Sequence, residues 1–431
     1  MNITTNKVLI ISYYFPPMGM GGVQRTLKFA KYLINYNWQP VVLTTLPKSY
    51  FAIDEFLLEE AIRNGIIIER TGNSELDLKK IVTRVPKERF RKIRSLISSF
   101  IFIPDSKILW KKKALKKIDE LWKKYNGFQV VYATAPPYTD FLIGQAVKKK
   151  YSIPLAIDYR DAWVDSKVLN FYPTPFHKWR NIKLEREVLK DANLVITTNR
   201  RVKELIISRY EDVNISYNDI KIFPHGYDSE DFEYALTKKL PLINKMRVTY
   251  SGSFYTRNPK FYFDAIKILF EKHPELRQKI EFCFIGVFSK DHLKYSKKLG
   301  ILDQLNITGY INHHECIKYI LASDVLFLLI SRGENEDAAM PGKFGEYIGS
   351  RKNIIACIPE GVTKKLLEKY KAVKFVSEEN PELIANAIYE YFLLWEQNKM
   401  PKPDEEMVKS YDRKLMTSEL SKELNYLIDI E

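Results

Sequence analysis

The chain has 431 residues, 45% of them hydrophobic, and a formal net charge of +15. This length exceeds what one ordinary hydrophobic core organises, so we expect two domains. No apolar run approaches the roughly 18 residues of a membrane span, and we expect no secretory signal before the strand predicted at 7–12. The three cysteines are far apart in sequence, which excludes a disulfide framework and favours a reducing cytoplasm.

The positive charge is concentrated in the basic stretch, residues 79–124. This stretch holds 16 Lys/Arg and 4 Asp/Glu, and therefore +12 of the +15. Aromatic side chains such as Phe100, Trp110 and Trp122 lie between its lysines, a composition that favours an anionic membrane surface. The main alternative is a solvated helix face with Ile118 turned to the core. Nucleic acid is the weakest interpretation, and we expect no such partner.

Short runs rich in Val and Ile alternate with longer helical patterns, as in parallel sheets covered by helices. The strands predicted in the first half are 7–12, 40–44, 66–68, 130–133, 155–158, 194–197 and 221–223. Those predicted in the second half are 247–251, 280–285, 325–330, 354–356 and 373–376.

The same alternation thus occurs twice, separated by a polar segment at 230–245. We predict an α/β protein of two Rossmann-like domains, 1–240 and 241–400. The tail, 405–431, is predicted to be a helix that crosses back to the first domain.

A glycine-rich turn containing Gly21, Gly22 and Arg25 follows the first predicted strand. Doubly wound sheets bind ligands at this edge, and glycine lets a ligand approach the backbone closely. A turn without a ligand is the alternative. Gln24 and Thr44 stand where a dinucleotide fingerprint requires a glycine and an acid, so a nicotinamide cofactor fits poorly.

A second charged segment, 158–163, follows the predicted strand 155–158. Asp161 is a candidate base, hydroxyl-orienting group or stabiliser of developing positive charge, and Arg160 is its candidate partner. The alternative is structural, with Arg160 paired to Asp158 or Asp161 so that the loop is fixed.

The most informative segment is 339–349, which follows the apolar run 325–330. Pro341 suits the first position of a helix, Gly342 leaves the backbone uncrowded, and Lys343 adds a cation. A helix start of this kind is predicted to bind phosphate. Glu346, just over one turn later, is placed to bond a sugar hydroxyl. The alternative is an ordinary surface helix with a solvated Lys and Glu.

Gly252 and Arg257 follow the first strand of the second predicted domain. Arg257 is predicted to contact a diphosphate, since arginine binds phosphate bidentately. His313 and His314 precede a predicted helix, where capping or solvent exposure is favoured over metal binding. The sequence shows no metal-ligand spacing, and we expect neither a metal nor a cofactor.

In this order the motifs resemble the GT-B glycosyltransferases, specifically the family 4-like enzymes of bacterial surface-polysaccharide synthesis. The resemblance extends along nearly the whole chain. Its landmarks are 14–17, 21–25, 158–163, 226–228, 252–259, 309–310, 323–324 and 341–347.

The resemblance implies two domains across a cleft, with the nucleotide sugar on the second and the acceptor on the first. Glu346 matches the second glutamate of a paired motif that usually holds the nucleotide ribose. The first glutamate would fall at Ala338, so Glu334 or Glu336 would have to replace it.

The same resemblance places the family's diphosphate-binding Arg and Lys near Ser253 and Asn258, neither of which is basic. Arg257 and Lys343 are therefore the candidates for that role. Asp161 lies where many relatives place a histidine beside the reacting sugar.

We therefore predict a metal-independent, retaining glycosyltransferase, peripheral on the inner face of the cell membrane. It would move a sugar from a nucleotide-diphosphate sugar to a lipid-linked or oligosaccharide acceptor. The alternatives are a nucleotide-sugar epimerase of the same fold and a non-catalytic binding subunit, which Ala338 would suit. The sequence leaves open the base, the sugar, the acceptor, the linkage and the oligomeric state.

Overall fold

The computed structural model of the protein describes residues 5–46, 49–50, 52–72, 76–83, 88–165, 172–213, 215–238, 240–241, 243–252, 254, 259–330, 336–377 and 380–429. The chain divides into two compact units, Met1–Pro224 with Arg413–Glu431, and His225–Asp412. The division at Pro224 precedes the boundary predicted at residue 240, because a helix in the segment between them packs within the second unit.

The first unit is built on a seven-stranded sheet in which every pairing is parallel. Two further short strands, β3 and β5, pair with each other in a separate ribbon. The described residues of the first unit form nine strands along the chain. They are β1 Asn6–Ile11, β2 Trp38–Thr45, β3 Ser49–Tyr50, β4 Ile67–Thr71, β5 Val82–Thr83, β6 Val130–Ala135, β7 Leu155–Tyr159, β8 Leu194–Thr197 and β9 Ile220–Ile222.

Helices connect these strands in the order that the sequence predicts. They are α1 Gly21–Leu33, α2 Glu55–Arg63, α3 Glu88–Ile101, α4 Lys111–Tyr125, α5 Thr139–Tyr151, α6 Pro175–Asp191 and α7 Arg200–Arg209. The spatial order is β4-β2-β1-β6-β7-β8-β9, so the direction of winding reverses between β1 and β6. Open parallel sheets bind ligands outside the carboxyl ends of the strands at such a reversal.

The second unit has a six-stranded parallel sheet in the order β12-β11-β10-β13-β14-β15, which reverses between β10 and β13. Its strands are β10 Met246–Ser251, β11 Ile280–Ile285, β12 Leu305–Gly309, β13 Val325–Leu329, β14 Asn353–Cys357 and β15 Val373–Val376. Its helices are α8 Ser229–Thr237, α9 Lys260–Lys272, α10 Lys290–Lys298, α11 His313–Leu321, α12 Lys343–Gly349, α13 Val362–Tyr370, α14 Pro381–Glu396 and α15 Glu405–Ser410.

The tail predicted as a single helix over 405–431 forms two helices, and α15 belongs to the second unit. The last helix, α16 Arg413–Asp429, belongs to the first unit, as predicted. It packs on α1 and buries Leu420 and Leu424 completely. Trp38 Nε1 donates to Asn425 Oδ1 at 2.9 Å, which ties α16 to the start of β2. Two parallel-sheet, Rossmann-like domains with a returning C-terminal helix are therefore confirmed.

Within the described residues, no helix combines the length and the apolar character needed to cross a bilayer.

Candidate functional site

Three glycines line the carboxyl edge of the second sheet beside its reversal point. Gly252, Gly286 and Gly309 have φ angles of 121°, 126° and 71°, a region that side chains rarely adopt. Gly252 N donates to Ile285 O at 2.7 Å, and Gly286 N donates to Gly309 O at 2.8 Å. A Cβ on Gly286 would lie 2.4 Å from Gly252 O. At these three positions the edge of the sheet therefore presents closely packed backbone atoms that carry no side chain.

Lys343 is fixed beside this glycine edge. Its Nζ donates to Ser251 O at 2.8 Å and lies 3.7 Å from the centroid of the Tyr250 ring. The ammonium is also 3.8 Å from where a Cβ on Gly252 would stand. Tyr347, one turn further along α12, accepts a hydrogen bond from Ser251 N at 3.0 Å through its hydroxyl. The end of β10 and the start of α12 thus hold a half-buried cation at a defined position.

The predicted helix start at Pro341 is wrong by two residues, because α12 begins at Lys343 with Gly342 as its N-cap. Gly342 provides no side-chain cap, and Phe344 N donates to Pro341 O at 2.9 Å. One first-turn amide is therefore already bonded, and α12 is only seven residues long. The candidate phosphate contact is consequently the Lys343 ammonium rather than the helix terminus.

Glu346 follows Lys343 by three residues and so lies on a neighbouring part of the α12 surface. Its side chain is 15% exposed, and its Oε1 lies 3.7 Å from His313 Nδ1. His313 Nε2 in turn contacts Asp231 Oδ2 at 2.9 Å. The structure thus brings the cation and the carboxylate predicted at the donor site together on one short helix.

Two glycines let α12 pack closely against residues 225–227. A Cβ on Gly345 would lie 2.4 Å from Gly226 C and O, and one on Gly349 would lie 2.3 Å from Tyr227 Cγ. Contacts this short do not occur, so both positions require glycine. The close packing fixes the helix that carries Lys343 and Glu346.

The candidate donor residues Arg257 and Glu334 lie outside the described residues, as do Ser253 and Asn258, the positions where the family's basic residues would fall. Ala338 ends a short helical turn that begins at Glu336, whose side chain is also outside the described set. A diphosphate role for Arg257, and a substitute for the glutamate absent at Ala338, stay predictions.

In the first unit, Arg25 forms a buried bidentate pair with Asp158. The distances are 2.8 Å from Nε to Oδ2 and 2.7 Å from Nη2 to Oδ1. Arg25 Nη1 also donates to Phe223 O at 2.8 Å and Pro224 O at 3.0 Å. Burial alone would raise the pKa of Asp158, but the Arg25 guanidinium outweighs it and lowers that pKa. Arg25 therefore joins α1, β7 and the segment after β9.

Arg160 is buried and donates to the backbone carbonyls of Gly22, Ala135 and Pro136. These bonds tie the loop after β7 to the start of α1. The structural alternative thus describes Arg160 well, although its acceptors are carbonyls and not the carboxylates of Asp158 or Asp161.

Asp161 and the glycine pair differ from these buried arginines. Asp161, Gly21 and Gly22 are exposed, and Gly21 begins α1. Desolvation by the surrounding protein raises the pKa of Asp161, and the charge of Arg160 opposes that rise. Asp161 is therefore the accessible member of the predicted catalytic pair.

Sequence reasoning missed a group of half-buried tyrosines at the carboxyl end of β1. The ring centroids of Tyr13 and Tyr14 are 5.0 Å apart, and those of Tyr14 and Tyr50 are 5.7 Å apart. Tyr13 N donates to the buried Asp140 Oδ2 at 2.8 Å. The signal was present in the consecutive aromatic residues at 13–15, which follow the strand directly.

Comparison with known proteins identifies the architecture. Residues 237–406 match the family of glycosyl transferases group 1. A sucrose-phosphate synthase from Thermosynechococcus elongatus aligns with 99% of this chain and 100% of its own, with a TM-score of 0.63 and 13% identity. The chain has the GT-B fold.

Other GT-B structures are similarly distant. A glycosyltransferase from Rickettsia africae has a TM-score of 0.61 and 14% identity over 98% of this chain and 99% of its own. A UDP-N-acetylglucosamine 2-epimerase has a TM-score of 0.56 and 13% identity over 99% and 98%. No curated protein matches the sequence. The GT-B structures establish the fold, while the match over 237–406 supports glycosyl transfer.

Proposed function

We propose that the protein is a glycosyltransferase that binds a nucleotide-diphosphate sugar on its second unit. One observation carries this proposal. Lys343 and Glu346 project from one helix beside the glycine edge at the reversal point of the second sheet, within the segment that matches group 1 glycosyl transferases.

Lys343 is the proposed diphosphate contact. When the bond between sugar and diphosphate breaks, negative charge accumulates on the leaving phosphate. The hydrogen bond to Ser251 O and the Tyr250 ring hold the ammonium in place before reaction, so little reorganisation accompanies this change. A metal-independent reaction is part of the proposal and rests on this cation.

Glu346 is the proposed ribose contact, because a carboxylate accepts hydrogen bonds from neighbouring hydroxyls. Gly252 and Gly286 would let the nucleotide approach the sheet edge without meeting a side chain. The role of Glu346 follows from the family resemblance and its position three residues after Lys343.

The acceptor is proposed to bind the first unit at the carboxyl edge of its sheet. Tyr13, Tyr14 and Tyr50 offer aromatic surfaces of the kind that line ligand sites. Asp161 is the proposed catalytic group on the basis of the family resemblance, because a carboxylate would stabilise positive charge as the glycosyl group is transferred with retention.

We further propose that the acceptor is lipid-linked and that α3 contacts an anionic membrane. Four large apolar side chains of α3 are exposed, Leu96, Ile97, Phe100 and Ile101, with 43–64% of their surface accessible. Phe176 and Trp179 on α6 are also exposed, and His177 between them contacts Phe100 O at 3.1 Å. In the sequence these apolar residues follow a segment rich in lysine and arginine, a composition that fits the interfacial region of a bilayer.

The basic stretch is not uniform in this respect. Helix α4 buries Ala114, Ile118 and Leu121, and its Lys124 pairs with Glu69 at 2.7 Å. The solvated-helix alternative thus describes α4, while the membrane proposal rests on α3.

A nucleotide-sugar epimerase is the second candidate, because one GT-B neighbour is a UDP-N-acetylglucosamine 2-epimerase. An epimerase would convert the sugar of its nucleotide without an acceptor. Analysis of products formed from a nucleotide sugar alone separates the two candidates.

The donor site is tested by calorimetry with UDP, GDP and ADP and their sugars. Lys343→Met is expected to weaken the bound nucleotide about 10- to 100-fold, the usual effect of losing a hydrogen bond to a charged group. Lys297→Met, on the exposed face of α10, is the matched control. Equal affinities for the two variants would remove Lys343 from the site.

A further inference from the structure

Glu346 is held from outside its own helix. His313, the first residue of α11, faces Glu346 Oε1 with Nδ1 at 3.7 Å and Asp231 Oδ2 with Nε2 at 2.9 Å. Asp231 lies in the first turn of α8, which packs along α11. Three helices of the second unit, α8, α11 and α12, thus contribute one residue each to a line of side chains.

The two contacts of His313 differ in strength. The 2.9 Å contact is a hydrogen bond, and it fixes the plane of the ring. The 3.7 Å contact to Glu346 is longer than a hydrogen bond, so it is an ion pair when both ring nitrogens carry protons, and it leaves the lone pairs of the carboxylate available to a ligand. The side chains of Asp231 and His313 are only 5% and 10% exposed, which leaves the ring little room to turn.

We propose that His313, anchored by Asp231, is a positioning residue that orients the Glu346 carboxylate toward the ribose of the bound nucleotide. This inference rests on the proposed function and deepens it. The imidazolium form of histidine suits the task, because both of its nitrogens carry protons on a rigid ring, so that Nε2 is anchored by Asp231 while Nδ1 faces Glu346.

The physical benefit is preorganisation. A glutamate side chain has several rotatable bonds, and ordering it on ligand binding costs roughly 2- to 10-fold in affinity. A carboxylate already held by His313 avoids part of that cost. The effect belongs to ribose recognition and leaves the diphosphate contact of Lys343 unchanged.

The test compares two ligands on each variant. The probes are whichever of UDP, GDP and ADP binds best to the full chain, and its 2′,3′-dideoxy counterpart, with dissociation constants measured by calorimetry. The wild-type protein is expected to prefer the ribose form about 10-fold, as for a hydrogen bond to a charged group. Glu346→Ala should reduce this ratio to about 1, and His313→Ala should reduce it to about 2 or 3.

Two further variants separate positioning from general stability. Asp231→Asn should lower the ratio in the same direction as His313→Ala, because it weakens the anchor of the ring. His314→Ala removes the neighbouring histidine, which contacts Asp231 Oδ1 at 3.5 Å, and should retain about 10-fold preference. Each ratio is taken on one protein, so a partly unfolded variant lowers both affinities and leaves the ratio intact.

The outcomes distinguish this inference from the proposed function. A wild-type protein that binds both probes equally, or neither, contradicts the donor site itself. If the wild-type protein discriminates, Glu346→Ala does not, and His313→Ala still discriminates about 10-fold, then the positioning role is overturned. His313→Gln replaces His313→Ala in the comparison if the alanine variant fails to fold.

Discussion

Glu185 is a buried carboxyl group whose charge affects the stability of the first unit. It lies on α6 with 2% of its surface exposed, and Tyr210 donates a hydrogen bond to its Oε2 at 2.7 Å. Burial raises the pKa of Glu185 to about 7, although the hydrogen bond from Tyr210 favours the ionised form. The folded protein therefore binds this proton more tightly than the unfolded chain does.

We predict that Glu185 makes the first unit less stable as the pH rises from 4.5 to 7. The unfolded carboxyl titrates near 4.5 and the folded one near 7, so ionisation favours unfolding within this range. The difference corresponds to about 3 kcal/mol in the free energy of unfolding. Urea unfolding followed by tryptophan fluorescence at several pH values measures it.

Glu185→Gln should flatten this decline, because an amide does not titrate. Glu187→Gln changes an exposed glutamate on the same helix and should retain the wild-type slope. Identical pH slopes for the two variants would mean that Glu185 does not carry the effect.

At the residue scale, the sequence identifies charged and polar side chains near the predicted sites, but it does not predict which groups they contact. Arg25, beside a glycine turn, was a reasonable ligand candidate, yet it is paired with Asp158 from β7, 133 residues away in sequence. The sequence predicts that His313 caps a helix or faces solvent. It does not reveal the contacts with Asp231 and Glu346, because these residues belong to two other helices. Such long-range pairing depends on tertiary packing, which local pattern does not contain.

Helix α3 is the element whose surface best fits a membrane. Its exposed apolar residues lie near its C-terminal end, beside the exposed start of α6. We predict that Ile97→Ser with Phe100→Ser lowers binding to vesicles of phosphatidylserine and phosphatidylcholine by about 10-fold or more, since each buried apolar side chain contributes about 1.5–3 kcal/mol. Sedimentation of the vesicles measures the bound fraction.

The control for this prediction is Leu415→Ser, an exposed apolar residue on α16. All three side chains are exposed, so the melting temperatures should change little. Added salt should weaken the electrostatic part of binding. Vesicle binding that is the same for the double variant and for Leu415→Ser would contradict contact through α3.

At the element scale, strongly apolar strands were predictable from sequence and weakly apolar ones were not. The predicted strands 280–285 and 325–330 match β11 and β13, because strongly apolar segments mark strands that are buried on both faces. Strand β12 was missed, since an edge strand that reads Leu-Asn-Ile-Thr-Gly is half-buried throughout and lacks such a run. Asn380 caps α14 by accepting from Leu383 N at 3.2 Å, as its sequence indicates.

At the scale of the whole molecule, the two sheets share one feature: the candidate residues lie near the point where the strand order reverses. In the second unit, Gly252 follows β10 at the reversal, and Lys343 reaches the same strand end. In the first unit, Tyr13 follows β1 and Arg160 follows β7 at the corresponding edge. The alternation of strands and helices predicts this edge, whereas the side-chain partners at it require coordinates.

The returning helix α16 makes the first unit depend on the end of the chain. Met416, Leu420, Leu424 and Leu427 are buried, and covering each contributes about 1.5–3 kcal/mol. Their sum, roughly 6–12 kcal/mol, is comparable to the whole stability of an ordinary domain. We therefore predict that ending the chain at Asp412 unfolds the first unit.

The second unit contains every described donor residue, so the shortened protein should keep a thermal transition and its affinity for the nucleotide diphosphate. Calorimetric unfolding measures the transition, titration calorimetry with the nucleotide diphosphate measures the affinity, and limited proteolysis shows whether the first unit has unfolded. The double variant Leu420→Ala with Leu424→Ala should also lower the stability of the first unit, but by less than the truncation does. Glu419→Ala with Lys422→Ala, on the exposed face of α16, should not. An unchanged unfolding trace after truncation would show that the first unit folds without α16.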